Sequence, residues 1–102
     1  MVKIRWTDKA TRHLNSIYEY IASDSEVYAE RYVKSLISST DKLKQMPECG
    51  RTVPELENYP FREIIFRNHR IVYRISGFDG NIDILAVVHG AQDFTKRLFK
   101  KE

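Results

Sequence analysis

Three short apolar runs between residues 61 and 94 form the clearest pattern in the chain. The runs are residues 62–67, 70–75 and 82–88. All three are rich in β-branched and aromatic residues, which favour half-buried strands. Asp79-Gly80 suits a tight hairpin between the last two runs, and Asn68-His69 is the predicted turn between the first two, because asparagine tolerates positive φ angles. The pattern predicts a three-stranded antiparallel meander.

The N-terminal residues predict a strand followed by a helix. Val2, Ile4 and Trp6 repeat with period two and predict a first strand, although the sequence does not show which strand it pairs with. Thr7 or Asp8 is the expected helix N-cap. Apolar residues then recur at spacings of three and four, which predicts an amphipathic helix ending near residue 22. These residues are Ala10, Leu14, Ile17, Tyr18 and Ile21.

A second helix is predicted after the polar residues 23–26. Ser23 and Glu26 have the spacing of a capping box, and Asp24 and Ser25 are alternative caps. The helix is expected to stop at Met46, because the residue before proline is disfavoured in a helix. The short connection predicts an antiparallel helix hairpin, whose apolar stripe must pack on the meander. The stripe consists of Ala29, Tyr32, Val33, Leu36, Ile37, Thr40 and Leu43.

Two further segments complete the predicted architecture. Residues 47–60 contain three prolines and form the one long irregular segment, and loops of this length are more often functional than not. Residues 91–102 place acidic side chains before basic ones, which suits a short terminal helix. The prediction is a single α+β domain spanning residues 1–102, in the order β-α-α-β-β-β-(α). An antiparallel helix hairpin packs on one face of a mainly antiparallel sheet.

Composition and charge narrow the classes of function. The chain is 42% hydrophobic and has one cysteine, which fits a reducing cytoplasm. It has no apolar run long enough for a membrane span, so we expect a cytoplasmic protein. The net charge of +3 lies entirely in residues 60–102, with eight basic and five acidic side chains. A basic half fits nucleic acid or an acidic protein segment, and a solvated surface is the alternative explanation for so modest an excess.

The candidate site residues are single side chains rather than a strong motif. No phosphate-binding loop, dinucleotide fingerprint or metal motif occurs, so neither a cofactor nor a metal is expected. Arg70 and Arg74 alternate with Val72 on one face of the middle strand, which is expected to present both guanidinium groups. His13 is expected to be exposed. The remaining candidates are Glu55 in the irregular segment, Arg62 and Arg67 beside the first run, and His89 at the end of the third run.

Two kinds of chemistry suit these residues. A carboxylate, a histidine and an arginine together can cleave RNA, because two of them move protons and the arginine stabilises charge on the phosphate. The same arginines can instead bind a phosphate backbone or an acidic protein.

Three sequence segments resemble toxins of the RelE/ParE superfamily, and the resemblance covers almost the whole chain. The segments are Gly50-Arg51-Thr52-Val53-Pro54-Glu55-Leu56, Tyr73-Arg74-Ile75 and His89-Gly90-Ala91-Gln92-Asp93. The resemblance implies the same fold and an antitoxin whose C-terminal segment wraps the toxin. Members similar to ParE act on DNA gyrase, whereas members similar to RelE or YoeB cut messenger RNA in the ribosomal A site.

The resemblance also implies roles for individual residues. The nuclease branch would use Glu55, Arg70 and His89, but Gly90 stands where that branch has a tyrosine, and residues 50–69 lack lysine. We therefore predict a gyrase-binding toxin of the ParE-like branch. The alternatives are a ribosome-dependent endoribonuclease and a non-toxic relative that keeps only antitoxin binding. The predicted target-binding residues are Arg62, Arg67, Arg70, Arg74, Lys96, Arg97 and Lys100, with His89 beside them.

The predicted antitoxin should match two surfaces of the toxin. Apolar side chains of the antitoxin should fill the groove between helices and sheet, and acidic ones should face the basic residues.

Overall fold

Two helices and five strands make up residues 2–90, the part of the chain that the computed structural model describes. The strands are β1 (Ile4–Trp6), β2 (Arg51–Thr52), β3 (Arg62–Phe66), β4 (His69–Ile75) and β5 (Ile82–His89). The helices are α1 (Asp8–Ala22) and α2 (Glu26–Ser38), and two short 3₁₀ helices span Asp41–Lys44 and Pro54–Leu56. No helix within residues 2–90 is long and apolar enough to cross a membrane. The predicted terminal helix at residues 91–102 lies outside the described residues.

The sheet has the strand order β1-β5-β4-β3-β2. The antiparallel meander of β3, β4 and β5 is confirmed. β1 pairs in parallel with β5, with Ile4 opposite Ile82, so the sheet is mixed. The predicted turn between β3 and β4 was wrong by one residue: Phe66 pairs with His69, and Arg67 takes the positive φ of 54°. His69 stays in the strand because its side chain packs against Tyr32.

Both helices begin directly after a residue whose side chain caps the first turn. The side chain of Thr7 accepts a hydrogen bond from the Ala10 backbone and begins α1, and Ser25 does the same for Tyr28 at α2. The predicted continuous second helix was wrong after Ser38. The hydroxyl of Thr40 donates to the carbonyl of Ile37 at 2.7 Å, a local bond that competes with the helical pattern. A 3₁₀ helix follows instead, and it still buries Leu43.

The helix hairpin packs on one face of the sheet, as the apolar stripes predict. This main core consists of buried side chains from both helices, from the first 3₁₀ helix and from the three meander strands. Its members include Leu36, Leu43, Ile64, Ile71, Tyr73 and Ile84. Burial of such side chains contributes roughly 1.5–3 kcal/mol each, so this face provides most of the stability.

The opposite face of the sheet is also covered, which the sequence did not predict. Residues from the irregular segment pack onto it and form a second, smaller core. Its buried members are Val53, Leu56, Val72, Ala86 and Val88. The expectation that this face presents both guanidinium groups was therefore wrong for Arg70, which is buried. The irregular segment holds apolar side chains of its own, and burying them on Val72 covers the neighbouring arginine.

Candidate functional site

Two depressions meet at the end of the sheet where β3 turns into β4. The first, the helix–sheet groove, has a volume of about 580 Å³ and lies between the helix hairpin and the ends of β4 and β5. The second, the basic cleft, has a volume of about 270 Å³ and is lined by Arg51, Arg67 and Arg70. Asn68, His69 and His89 line both depressions.

Arg70 lies at the centre of a network of charged side chains. Its Nη1 and Nη2 donate to the two carboxylate oxygens of Glu55 at 2.7 and 2.6 Å. Its Nε donates to Glu63 at 2.7 Å. The other oxygen of Glu63 accepts from Nε of Arg51 at 2.6 Å. Because Glu63 is fully buried, its charge depends on these two arginines.

The network neutralises its own charges. Hydrogen bonds to Glu55 and then Glu63 raise the pKa of Arg70, and the hydrogen bond from Arg70 lowers the pKa of Glu55. Arg70 and Glu55 therefore stay ionised near neutral pH, and their opposite charges compensate each other. The network ties the 3₁₀ helix at Pro54–Leu56 to β3 and β4, so its geometry fits a structural role for Arg70.

A second cluster, of aromatic and histidine side chains, lies on the helix side. The Tyr32 hydroxyl shares a 2.7 Å hydrogen bond with Nδ1 of His69. His69 faces His89 across β4 and β5, with their ring centroids 6.0 Å apart. The guanidinium of Arg67 lies 5.7 Å from the centre of the Tyr32 ring, close enough for a cation–π attraction. Arg67 therefore places a positive charge at the boundary between groove and cleft.

His13 lies in the groove wall and is 3% exposed, so its expected exposure was wrong. Its Nδ1 accepts a hydrogen bond from the backbone N–H of Val87 at 3.1 Å. That bond joins α1 to β5 and requires Nδ1 to carry no proton. All three histidines of the chain therefore line one groove.

Acid should weaken the folded state through His69. Burial lowers the pKa of His69, and His89 lowers it further. The unfolded chain takes up this proton near pH 6.5, and the folded chain does so only at lower pH. The stability that neutral His69 contributes is thus complete above about pH 6.5 and is lost as the pH falls through the folded-state pKa.

We expect the free energy of unfolding to fall as the pH drops below about 6.5, by at most about 1.4 kcal/mol for each unit by which the folded-state pKa lies below that value. Urea unfolding at several pH values measures this, with His69→Gln as the comparison. The variant should lose less stability than the native protein over the same interval. An equal loss in both proteins would contradict the assignment to His69.

The structure separates the predicted site residues into two groups. Arg67, Arg70 and His89 line the cleft, and Glu55 joins them through its contact with Arg70. The others lie at the opposite end of the sheet: Nη1 of Arg62 donates to the carbonyl of Gly50 at 2.8 Å, and Arg74 pairs with Asp83 at 3.2 Å. Lys96, Arg97 and Lys100 fall outside residues 2–90.

Several residues of this region escaped the sequence analysis. His69 was assigned to a turn, although its alignment with His89 across the meander was a usable signal. Glu63 lies beside apolar residues of a strand, which hints at a buried and paired carboxylate. Tyr32 belongs to an apolar helical stripe and carries no sequence signal that marks it as a partner of His69.

The fold is shared with a chain of a known toxin–antitoxin system. The chromosomal ParDE system of P. aeruginosa includes a chain with a TM-score of 0.70 and 23% identity, over 87% of this chain and 96% of that one. At this identity the likeness shows the fold: a helix hairpin on one face of a mixed sheet.

Sequence comparison then places the chain in a family. The family model described as "ParE toxin of type II toxin-antitoxin system, parDE" matches residues 4–94. The chain belongs to this family of toxins of type II toxin–antitoxin systems. "Putative toxin Y4kP" of Sinorhizobium fredii is 33% identical, over 94% of this chain and 96% of its own length. "Toxin RelE2" of Caulobacter vibrioides is 29% identical, over 90% and 99%.

Proposed function

We propose that this toxin stops growth by binding DNA gyrase in the cytoplasm, with the Arg67 end of the sheet as its contact surface. The proposal follows the ParE branch, which acts on gyrase, and the family model that covers most of the chain. The observation that carries it is the closed network around Arg70. A binding protein needs only a stable, charged surface, and the network supplies the stability while Arg67 supplies the charge.

The same network argues against catalysis by Glu55 and Arg70. Both oxygens of Glu55 accept hydrogen bonds from Arg70, and this contact lowers the pKa of Glu55. A general base works best with a pKa near the operating pH, so an ion-paired carboxylate with a depressed pKa is a weak one. Arg70 is likewise engaged with two carboxylates rather than presented to a phosphate.

One observation favours ribosome-dependent mRNA cleavage as the second candidate. Arg70 and His89 both line the basic cleft, and Glu55 contacts Arg70, so the three residues expected of a nuclease lie near one another. Cleavage in this cleft would require Glu55 to leave Arg70 when RNA binds.

The helix–sheet groove is the proposed site of the cognate antitoxin. Its lining includes Ile17, Ile21, Val87 and Val88, and no carboxylate from residues 2–90 contributes to it. Exposed Tyr20 extends the apolar surface at its rim. An antitoxin helix with an apolar face fits this groove, and acidic residues beside that face would meet Arg67. Because groove and cleft share Asn68, His69 and His89, an antitoxin seated there would also cover the proposed target surface.

A supercoiling assay with purified toxin, gyrase and relaxed plasmid tests the proposal. We expect the toxin to inhibit supercoiling or to trap cleaved plasmid, and the antitoxin to restore supercoiling. If an excess of toxin leaves supercoiling normal, and the same toxin arrests growth in cells, gyrase is not the target.

Replacing Arg67 with asparagine should separate function from stability. Arg67 adopts a φ of 54°, which asparagine tolerates better, so the gain in backbone energy offsets much of the loss of two cation–π contacts, with Tyr32 and Phe66, of about 0.5–1 kcal/mol each. We expect a small change in thermal unfolding and about tenfold weaker inhibition, the loss for one charged hydrogen bond.

Lys34→Asn is the matched control for Arg67→Asn. Lys34 pairs with Glu30 on the exposed side of α2, and its replacement makes the same change in net charge. The control should inhibit like the native toxin. Equal potency of Arg67→Asn and the native toxin would contradict the proposed contact surface.

A further inference from the structure

Phe78 is the most exposed large apolar side chain among residues 2–90. It is 97% exposed, at the tip of the hairpin that joins β4 to β5. Single exposed apolar residues are common on protein surfaces, so exposure alone says little. The hydrogen bonds and ion pairs that order the hairpin around Phe78 are the more specific observation.

Hydrogen bonds brace the hairpin against movement. Within it, the backbone N–H of Ser76 donates to the carbonyl of Asn81 at 2.8 Å, and Gly80 takes the positive φ of 74° that the turn requires. The carboxylate of Asp79 accepts from the backbone N–H of Asn81 at 2.9 Å. The backbone N–H of Phe78 donates to the hydroxyl of Ser76 at 3.3 Å.

Strand β1 braces the same hairpin from outside. The guanidinium of Arg5 lies 3.0 Å from the carboxylate of Asp79 and 2.8 Å from that of Asp83. The side chain of Asn81 accepts from the backbone N–H of Lys3 at 2.9 Å. The benzyl group of Phe78 therefore projects into solvent from a hairpin whose backbone is already ordered. A partner that bound it would not have to order the loop, which is a major cost of binding.

The hairpin lies far from the helix–sheet groove. The groove is at the start of β4 and the hairpin at its end, and the first and last of the seven residues of this strand are roughly 20 Å apart at about 3.3 Å per residue. A helix seated in the groove would leave Phe78 uncovered. The tip therefore offers a contact that is separate from the proposed antitoxin site.

The charges around Phe78 indicate what kind of surface it fits. Arg5 and Arg74 are both about half exposed and bracket Asp83, and Lys3 lies beside them. The basic side chains near the tip are Lys3, Arg5 and Arg74, and the acidic ones are Asp79 and Asp83. The region around Phe78 therefore carries one positive charge in excess. An apolar socket with an acidic rim is complementary to this tip.

We propose that Phe78 is an anchor residue that inserts into an acidic-rimmed apolar socket on the toxin's protein target. The inference rests on the proposed function, since it adds a second contact to the same target. A second copy of the chain is a poor occupant. Two hairpin tips meeting about a twofold axis would bury far less than the roughly 1,200 Å² of a stable interface.

The test compares Phe78→Ser with Met46→Ser. Met46 is 54% exposed and lines neither the groove nor the cleft, so its replacement removes an exposed apolar side chain elsewhere. Each toxin is titrated into gyrase supercoiling reactions and also expressed in cells to measure growth arrest. Thermal unfolding and antitoxin affinity are measured in parallel.

We expect Phe78→Ser to need about 10- to 100-fold more toxin for half-inhibition, as loss of a fully buried benzyl group implies. Its unfolding and antitoxin affinity should equal those of the native toxin and of Met46→Ser. Full potency of Phe78→Ser would overturn the inference, as would an equal loss in Met46→Ser. Plasmid binding by the toxin alone that depends on Phe78 would also overturn it, in favour of DNA.

The two proposals fail separately. If the native toxin arrests growth without affecting gyrase, gyrase is excluded as the target. Growth arrest then decides the role of Phe78 by itself, since a weaker arrest by Phe78→Ser than by Met46→Ser supports an anchor for another protein, and an equal arrest refutes it.

Discussion

Replacing Arg70 with alanine is expected to lower the free energy of unfolding by about 3–5 kcal/mol. The variant loses three charged hydrogen bonds and leaves the fully buried carboxylate of Glu63 with Arg51 alone. Breaking a buried ion pair by removing one partner costs this much because the remaining charge stays buried. Since small domains have only about 5–15 kcal/mol in total, the variant should be partly unfolded at growth temperature. Urea unfolding measures the loss.

Glu55→Gln is the control for the Arg70 variant. The Glu55 side chain is one-third exposed, so water replaces part of what it loses, and we expect a cost of about 1 kcal/mol or less. A structural network predicts this asymmetry between its buried and exposed members. An Arg70→Ala protein with native stability and no activity would contradict the structural role and point to catalysis.

Replacing Gly50 with alanine is expected to destabilise the protein by about 3 kcal/mol, at the upper end of the usual cost of overpacking. A Cβ at this position would lie 2.6 Å from the hydroxyl of Tyr73 and 2.7 Å from the backbone oxygen of Glu63. Neither group has room to move, because Tyr73 is fully buried. Its hydroxyl also donates to the carbonyl of Pro47 at 2.6 Å and accepts from the Gly50 N–H at 3.0 Å.

Gly77 provides a matched control for the Gly50 variant. A Cβ at Gly77 would meet nothing within 4 Å, so alanine there should be neutral or slightly stabilising through the lower entropy of the unfolded chain. Thermal unfolding of both variants measures the contrast. Equal unfolding midpoints for the two variants would contradict the prediction, because they would mean that the loop at residues 47–50 moves to accommodate the added methyl group.

Local signals in the sequence predicted most of the fold. The meander followed from its β-branched runs and from Asp79-Gly80, and α1 from its apolar spacing and the cap at Thr7. These features depend on neighbouring residues, so a single sequence carries them. The resemblance of the Gly50–Leu56 segment and the His89 segment to ParE-like toxins identified the family.

Features that depend on distant residues were missed. The parallel pairing of β1 with β5 joins the two ends of the described chain, and no local pattern encodes it. The second core forms because Val53 and Leu56 reach Val72 across the sheet. That contact buries Arg70, which the alternation of β4 alone had placed on an exposed face. His13 likewise accepts a hydrogen bond from Val87, 74 residues away, which no local pattern of α1 indicates.

The most direct test of the account runs the native toxin and Glu55→Gln side by side in two assays, gyrase supercoiling and cleavage of ribosome-bound messenger RNA. A gyrase-binding toxin with a structural Glu55–Arg70 pair should inhibit supercoiling in both forms at similar concentrations and cleave messenger RNA in neither. Cleavage by the native toxin that Glu55→Gln abolishes, with supercoiling untouched, would contradict the account and assign the basic cleft to RNA chemistry.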